Sequence, residues 1–226
     1  MQYPNIHPAR FLDRPNRFVA HCEKDGQVLT VHVKNTGRCR ELLVPGAQVW
    51  LTHSDNPARK TAWDLIAVQK GSRLINMDAA APNAAFGAYA RGGQFLPGTE
   101  QIRAEVRFGA SRFDFCLEAA GKTHYVEVKG VTLEEDGVVR FPDAPTERGV
   151  KHLKELQAAA AAGFGAHAVF VIQMADVRHF EPNDRTHPAF GAALREAARN
   201  GVQLHAFCCR VSPDAMELSA PVPVHL

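Results

Sequence analysis

The 226-residue chain has few of the features that mark secreted, membrane-spanning or disordered proteins. Its five cysteines, Cys22, Cys39, Cys116, Cys208 and Cys209, are odd in number and show no Cys-x-x-Cys spacing. That argues against a disulfide framework or a zinc knuckle and for reduced thiols in a cytoplasmic protein. No apolar run approaches the roughly 20 residues that cross a bilayer, so no membrane partner is expected. The first residues, Met1–Phe18, are polar and proline-containing and lack the apolar core of a signal peptide. An apolar fraction of 46% with 22% charged residues excludes a disordered chain and leaves room for one large domain or two modest ones.

Net charge is only +2, but it is unevenly placed. Residues 1–85 carry 11 Lys and Arg against 7 Asp and Glu, whereas the remainder is slightly acidic. A basic N-terminal part beside an acidic cluster suits a polyanion binder joined to a metal site, although small numbers of surface charges fluctuate this much by chance.

Residues 17–75 read as all-β. Arg17–Glu23 and Gln27–Val33 flank Lys24-Asp25-Gly26, a hairpin signal, and Gln48–His53, Trp63–Gln69 and Arg73–Met77 are further short strands. About five strands in about 60–70 residues fit an OB-like barrel, a shape often used on oligonucleotides. A helix begins at Pro82-Asn83 and stops at Gly92-Gly93, which places a domain boundary near residue 82: 1–82 for the barrel and 83–226 for the rest.

From residue 100 the pattern becomes mixed α/β. Arg103–Phe108, Arg112–Glu118 and His124–Leu133 read as strands. Thr146–Ala162 reads as a helix capped by Thr146 with an apolar stripe at Val150, Leu153 and Leu156. Ala166–Gln173 is a continuous apolar run, as in a buried central strand, and a helix at Pro188–Asn200 precedes a strand at Val202–Val211. A crossover helix between strands argues for a mixed sheet.

The chemistry concentrates in Arg112–Val131. Asp114 lies between Phe113 and Phe115, and Glu127 and Lys129 alternate with Val126 and Val128. The period of two puts Glu127 and Lys129 on one face and the valines on the other, and a hairpin brings Asp114 near Glu127. Two carboxylates can hold a hard divalent cation, Mg²⁺ or Mn²⁺, and Lys129 can orient or deprotonate a water. The backbone carbonyl of Val128 is a further candidate ligand, and Glu105 on the preceding strand an outer one. A hairpin with one wet face carries the same residue types without any such role.

Two basic groups are candidate phosphate contacts: Lys34, Arg38 and Arg40 around Asn35-Thr36-Gly37, and Arg59-Lys60 before Trp63. Arg148 and Lys151, with His152 assisting, form a third at the start of the helix. Trp50 and Trp63 read as core residues. His7, His53, His167, His187 and His225 show no ligand spacing and read as structural or surface positions.

Several stretches are long and unusual: His32–Gly37, Glu105–Gly109, Arg112–Phe115, Val126–Leu133, and Phe141–Gly149 with Lys151-His152-Leu153. Through them the chain resembles the sugar fermentation stimulation protein A family over nearly its whole length. Asp114 followed by Glu127-Val128-Lys129 resembles the PD-(D/E)xK nuclease core, although Phe113 stands where that motif has proline. The resemblance implies an OB-type barrel followed by a PD-(D/E)xK nuclease-like domain. It also implies DNA binding largely without sequence specificity and a regulatory role in sugar metabolism. Three readings follow: a DNA-binding protein with a working metal-dependent nuclease site, a non-enzymatic DNA-binding regulator on the same scaffold, and a small-molecule or RNA-processing enzyme.

Overall fold

The computed structural model describes residues 1–35, 37–109 and 111–226. Thr36, in the expected basic turn, lies outside the described residues. The first strand, β1 (Ile6–Asn16), runs through a segment whose prolines and polar residues give no strand signal. Alternation still operates there: Ala9 and Phe11 face the core while Pro8 and Arg10 are exposed. The hairpin of β2 (Val19–Lys24) and β3 (Gln27–Val33) turns at Asp25-Gly26 with φ of +52° and +77°, the paired left-handed conformation of a tight β-hairpin.

Strands β4 (Gln48–His53) and β5 (Trp63–Lys70) complete a closed barrel in the order β3-β2-β1-β4-β5. Closure is made by parallel pairing of Val31–Val33 with Trp63–Leu65. The barrel therefore has the expected five strands, but β1 is one of them. Strand β6 (Arg73–Asn76) instead pairs with the end of β5, outside the closure.

The second part begins with helix α1 (Ala81–Arg91) and the strands β7 (Thr99–Phe108), β8 (Ser111–Ala119) and β9 (Lys122–Val131). A short hairpin, β10 (Leu133–Glu135) and β11 (Val138–Phe141), precedes helix α2 (Glu147–Ala161). Then come β12 (Gly165–Ile172), β13 (His179–Pro182), α3 (Pro188–Arg199), β14 (Gln203–Ser212) and β15 (Ala215–Pro221). The main sheet has the order β15-β14-β12-β9-β8-β7. Its centre, β9-β12-β14, is parallel and its flanks are antiparallel.

Strand β12 is buried at every residue, as the apolar run requires. α1 covers one face through Phe86 against Phe115, Val126 and Val128. α2 and α3 cover the other through Leu153, Leu156, Phe190 and Leu194. Three features have no clear signal in the sequence: the hairpin β10–β11, its parallel partner β13, and the last strand β15. They are short or polar, so periodicity does not distinguish them from loops.

A polar seam joins the barrel to the mixed-sheet part. The Lys34 ammonium pairs with buried Asp78 at 2.6 Å, and Gln173 Nε2 donates to the carbonyls of Asn76 and Asp78. The Arg14 guanidinium donates to the carbonyls of Arg17, Asn35, Gly37 and Arg38, fixing the basic loop of the barrel. Asp143, just before α2, accepts the Cys39 N–H at 3.0 Å, so that loop docks beside the start of the helix. A Cβ on Gly37 would lie 2.8 Å from the Asp143 carboxylate, so only glycine permits this approach.

Candidate metal site and nucleic-acid surface

Strands β8 and β9 pair from Ala119–Lys122 to Phe115–Val126 and then part. β9 continues along β12 as far as Val131. In the fork so opened, Asp114 replaces the missing ladder partner: its Oδ2 accepts the Val128 N–H at 2.7 Å, and its Oδ1 accepts from Asn83 of α1 at 2.8 Å. In a strand the N–H and C=O of one residue point to the same neighbour, so the Val128 carbonyl also faces the fork.

Glu127 is 3% exposed, between Val126 and Val128, which pack under α1. Its Oε1 takes both the Lys129 ammonium and His152 Nδ1, while its Oε2 is buried without a hydrogen-bond partner. The other ring nitrogen of His152 accepts from Arg148 Nε at 3.3 Å, so Nδ1 is the protonated position that donates to Glu127. The expected face assignment therefore holds, but the face is covered by α2 rather than wet.

Burial first, and the Glu127 charge second, raise the Asp114 carboxyl above its usual range. Burial acts the same way on Glu127, but the His152 hydrogen bond and the Lys129 ammonium outweigh it and hold that carboxyl low. An unpartnered buried carboxylate oxygen beside a second desolvated carboxylate is an environment that a divalent cation would relieve on both counts, so these residues fit one. Asp114, Glu127 and the Val128 carbonyl could hold it.

Glu105 lies opposite Asp114 by strand register, on a residue with φ of +57°. Its exposed carboxylate pairs with Arg112 Nε at 2.6 Å.

The basic candidates divide. Lys34 is committed to Asp78, and Arg59 grips buried Asp64 with both terminal nitrogens, so these two tie the fold together. His152 is 5% exposed and serves Glu127, not a phosphate on the surface. Arg38, Arg40, Lys60, Arg148 and Lys151 are exposed. Among the described residues only Lys151 of these five forms an ion pair, at 3.8 Å with Glu155.

Arg148 and Lys151 line a cleft with Ser111, Arg112, Glu147 and His152, beside Glu127. Arg38, Arg40 and Arg185 line a groove where the barrel meets the second domain, together with Arg140, which is paired with Glu135, and the carboxylates Glu41 and Asp143. Trp50 and Trp63 are half-buried; Trp63 packs against the hydrophobic core, as expected, and its ring meets His7 and His53 edge-on.

Sequence reasoning missed Asn83, Arg112 and Arg185. The first two come from neighbouring elements and carry no pattern of their own. The inward turn of His152 is readable, because it stands four residues before Leu156 and so on the buried face of α2.

The fold and site define a two-part protein: an OB barrel joined to a mixed-sheet α/β domain whose forked strands carry two carboxylates and a lysine. The chain belongs to the sugar fermentation stimulation protein family. Residues 12–77 match the SfsA N-terminal OB domain and residues 80–215 the sugar fermentation stimulation protein RE domain. The chain is 54% identical to the sugar fermentation stimulation protein homolog of Desulfitobacterium hafniense strain Y51, over 100% of this chain and 99% of that one. It is 50% identical to the homolog of Ruminiclostridium cellulolyticum, over the full length of both. It is also similar to the solved structure of Pyrococcus furiosus SfsA in complex with Ca²⁺, with a TM-score of 0.90 and 28% identity over 100% of this chain and 98% of that one.

Proposed function

We propose that the protein binds DNA through the phosphate backbone, largely without sequence preference, and holds a divalent cation, Mg²⁺ or Mn²⁺, at Asp114 and Glu127. One observation carries the metal reading: the buried, unpartnered Oε2 of Glu127 beside Asp114. The related archaeal protein was solved with Ca²⁺, another oxygen-preferring cation, which supports a hard-ion site here.

Exposed Arg38, Arg40 and Arg185 at the domain junction, Lys60 on the barrel, and Arg148 and Lys151 on α2 supply the charge that meets phosphates. Such contacts position a strand but read no bases. The relatives' name points to sugar utilisation, and a DNA-binding regulator acting there is consistent with this reading.

A second reading, hydrolysis of the phosphodiester, is favoured by the Lys129 ammonium at the Glu127 carboxylate. A bound cation would activate water and offset charge on the phosphate. Lys129 would donate to a phosphate oxygen or orient the attacking water. Asp114 is aimed by Val128 and Asn83, and Glu127 by His152.

The test is binding of single-stranded and duplex DNA across a salt series, followed by incubation with Mg²⁺ or Mn²⁺. Affinity that falls steeply with salt supports the binding reading, and salt-indifferent affinity contradicts it. Cleavage by the wild-type chain that is lost in Asp114→Ala supports hydrolysis. No cleavage, or equal cleavage by the variant, removes the hydrolytic reading.

A further inference from the structure

Far from the forked strands in sequence, three side chains converge that take no part in the proposed chemistry. His179 and Glu181 stand two residues apart on β13, hence on one face of it. His225 arrives from the C-terminal segment, which runs alongside as a short parallel pairing of Val224 with Phe180. Two backbone hydrogen bonds fix that segment: Phe180 N–H to Pro223 O and His225 N–H to Phe180 O, both 2.9 Å. The His179 and His225 rings stack with centroids 4.2 Å apart and planes 22° apart.

His179 Nε2 lies 2.8 Å from Glu181 Oε1, and one donor atom from each of the three residues lies within 4.8 Å of the other two. The remaining Glu181 oxygen accepts from Arg140 Nε at 3.2 Å, and Arg140 is itself paired with Glu135 at 2.9 Å. The carboxylate is thus held by one oxygen and leaves the other for the histidines, as supporting residues commonly orient a metal ligand.

We propose that His179, Glu181 and His225 form a second metal site, selective for an imidazole-preferring divalent cation such as Zn²⁺. Two neutral imidazoles and one carboxylate are a recurrent three-ligand zinc set, with water completing the tetrahedron. Zinc bonds of about 2.0–2.1 Å separate tetrahedral ligands by about 3.3 Å, so binding requires the stacked rings to swing apart until both in-plane lone pairs converge on one ion, a turn that exposed His225 has the space to make. Imidazole ligands suit zinc, copper and nickel, whereas Mg²⁺ takes oxygens, so the site differs in kind from the carboxylate pair at Asp114 and Glu127. Only His225 comes from the chain end. An ion here therefore clips the C-terminal segment to the small β10–β11–β13 sheet.

The experiment strips the full-length protein with a chelator and measures Zn²⁺ binding by calorimetry in millimolar Mg²⁺. Wild type and Glu127→Gln are expected to bind a single equivalent, because Glu127 belongs to the other site. His225→Ala and His179→Ala are expected to weaken binding at least about tenfold, as loss of a ligand requires. Zn²⁺ should also slow amide exchange at Phe180 and His225 in wild type and not in His225→Ala. Since His225 is exposed and its backbone bonds remain, that variant should fold. No Zn²⁺ on the wild-type chain, or unchanged affinity in both histidine variants, overturns the proposal. Either result leaves the DNA-binding reading untouched, because neither bears on Asp114 or Glu127.

Discussion

Asp114 Oδ2 accepts the Val128 backbone N–H at 2.7 Å, at the step where β8 and β9 stop pairing. One carboxylate thus both closes the end of the ladder and faces Glu127. Asp114→Ala should cost about 1–3 kcal/mol of stability, because a buried N–H loses its acceptor. Asp114→Asn keeps an acceptor and should stay close to wild type in a urea melt while losing cation affinity. Equal destabilisation by both changes would show that the hydrogen bond is not what Asp114 contributes to the fold.

The two faces of β9 give opposite expectations. Val128 is 6% exposed under α1, so Val128→Asp buries an unpaired charge and should unfold the second domain. Lys129 is half-buried with its ammonium on Glu127. Lys129→Ala should remain folded at a cost of about 2 kcal/mol, the size of a hydrogen bond to a charged group. Circular dichroism and urea melts of the two variants test the assignment.

His152 should be a stability determinant as well as an orienting group. His152→Ala removes the donor to a buried carboxylate and should cost about 1–3 kcal/mol. Replacing the neighbouring exposed Lys151 by alanine should change stability by no more than about 0.5 kcal/mol. Comparable losses in the two variants would contradict the inward orientation of His152.

Acid sensitivity should trace to a row of histidines across three parallel strands. His124 Nδ1 meets His167 Nε2 at 3.0 Å, and His167 Nδ1 meets His205 Nε2 at 3.1 Å. Burial first, then the neighbouring His205 and His124, bring His167 down to about 3 from an ordinary 6.5. The unfolded chain takes up a proton below about pH 6.5 that the folded chain refuses, so stability is complete above that pH and lost as pH falls toward 3. The loss should reach a few kcal/mol, since each unit is worth about 1.4 kcal/mol. His167→Phe should flatten the dependence of the urea midpoint on pH between 6.5 and 3. An unchanged slope would assign acid sensitivity elsewhere.

Much of this molecule is legible in its sequence, for identifiable reasons. The Asp25-Gly26 hairpin, the Thr146 cap of α2, whose Oγ1 accepts from Gly149 N–H at 3.0 Å, and the all-apolar β12 each obey a local rule. The nearness of Asp114 to Glu127 follows from alternation plus a hairpin. Strand β1 is hidden by Pro8 and Pro15, although barrel closure depends on it. The fate of an individual cation need not be a local property: Lys34 meets buried Asp78 from 44 residues away, and nothing near it in sequence shows that partner. His225 is unreadable for the same reason, since its neighbours come from a strand more than forty residues away.

The groove at the domain junction makes a quantitative expectation. Arg38→Ala with Arg40→Ala should weaken DNA binding uniformly across sequences and lower the salt slope by about 1 for each phosphate no longer neutralised. Lys34→Ala should instead destabilise the chain, because it strands buried Asp78. Fluorescence anisotropy over a salt series, alongside urea melts, distinguishes the two outcomes.

The most direct test of the account is a Mn²⁺ titration of the wild-type chain and of Glu127→Gln, followed by calorimetry in the absence of DNA. The account predicts a single ion on the wild-type chain at the Asp114–Glu127 pair and at least about tenfold weaker binding when the Glu127 charge is removed. Equal Mn²⁺ affinity in the two proteins, or none in either, would contradict it.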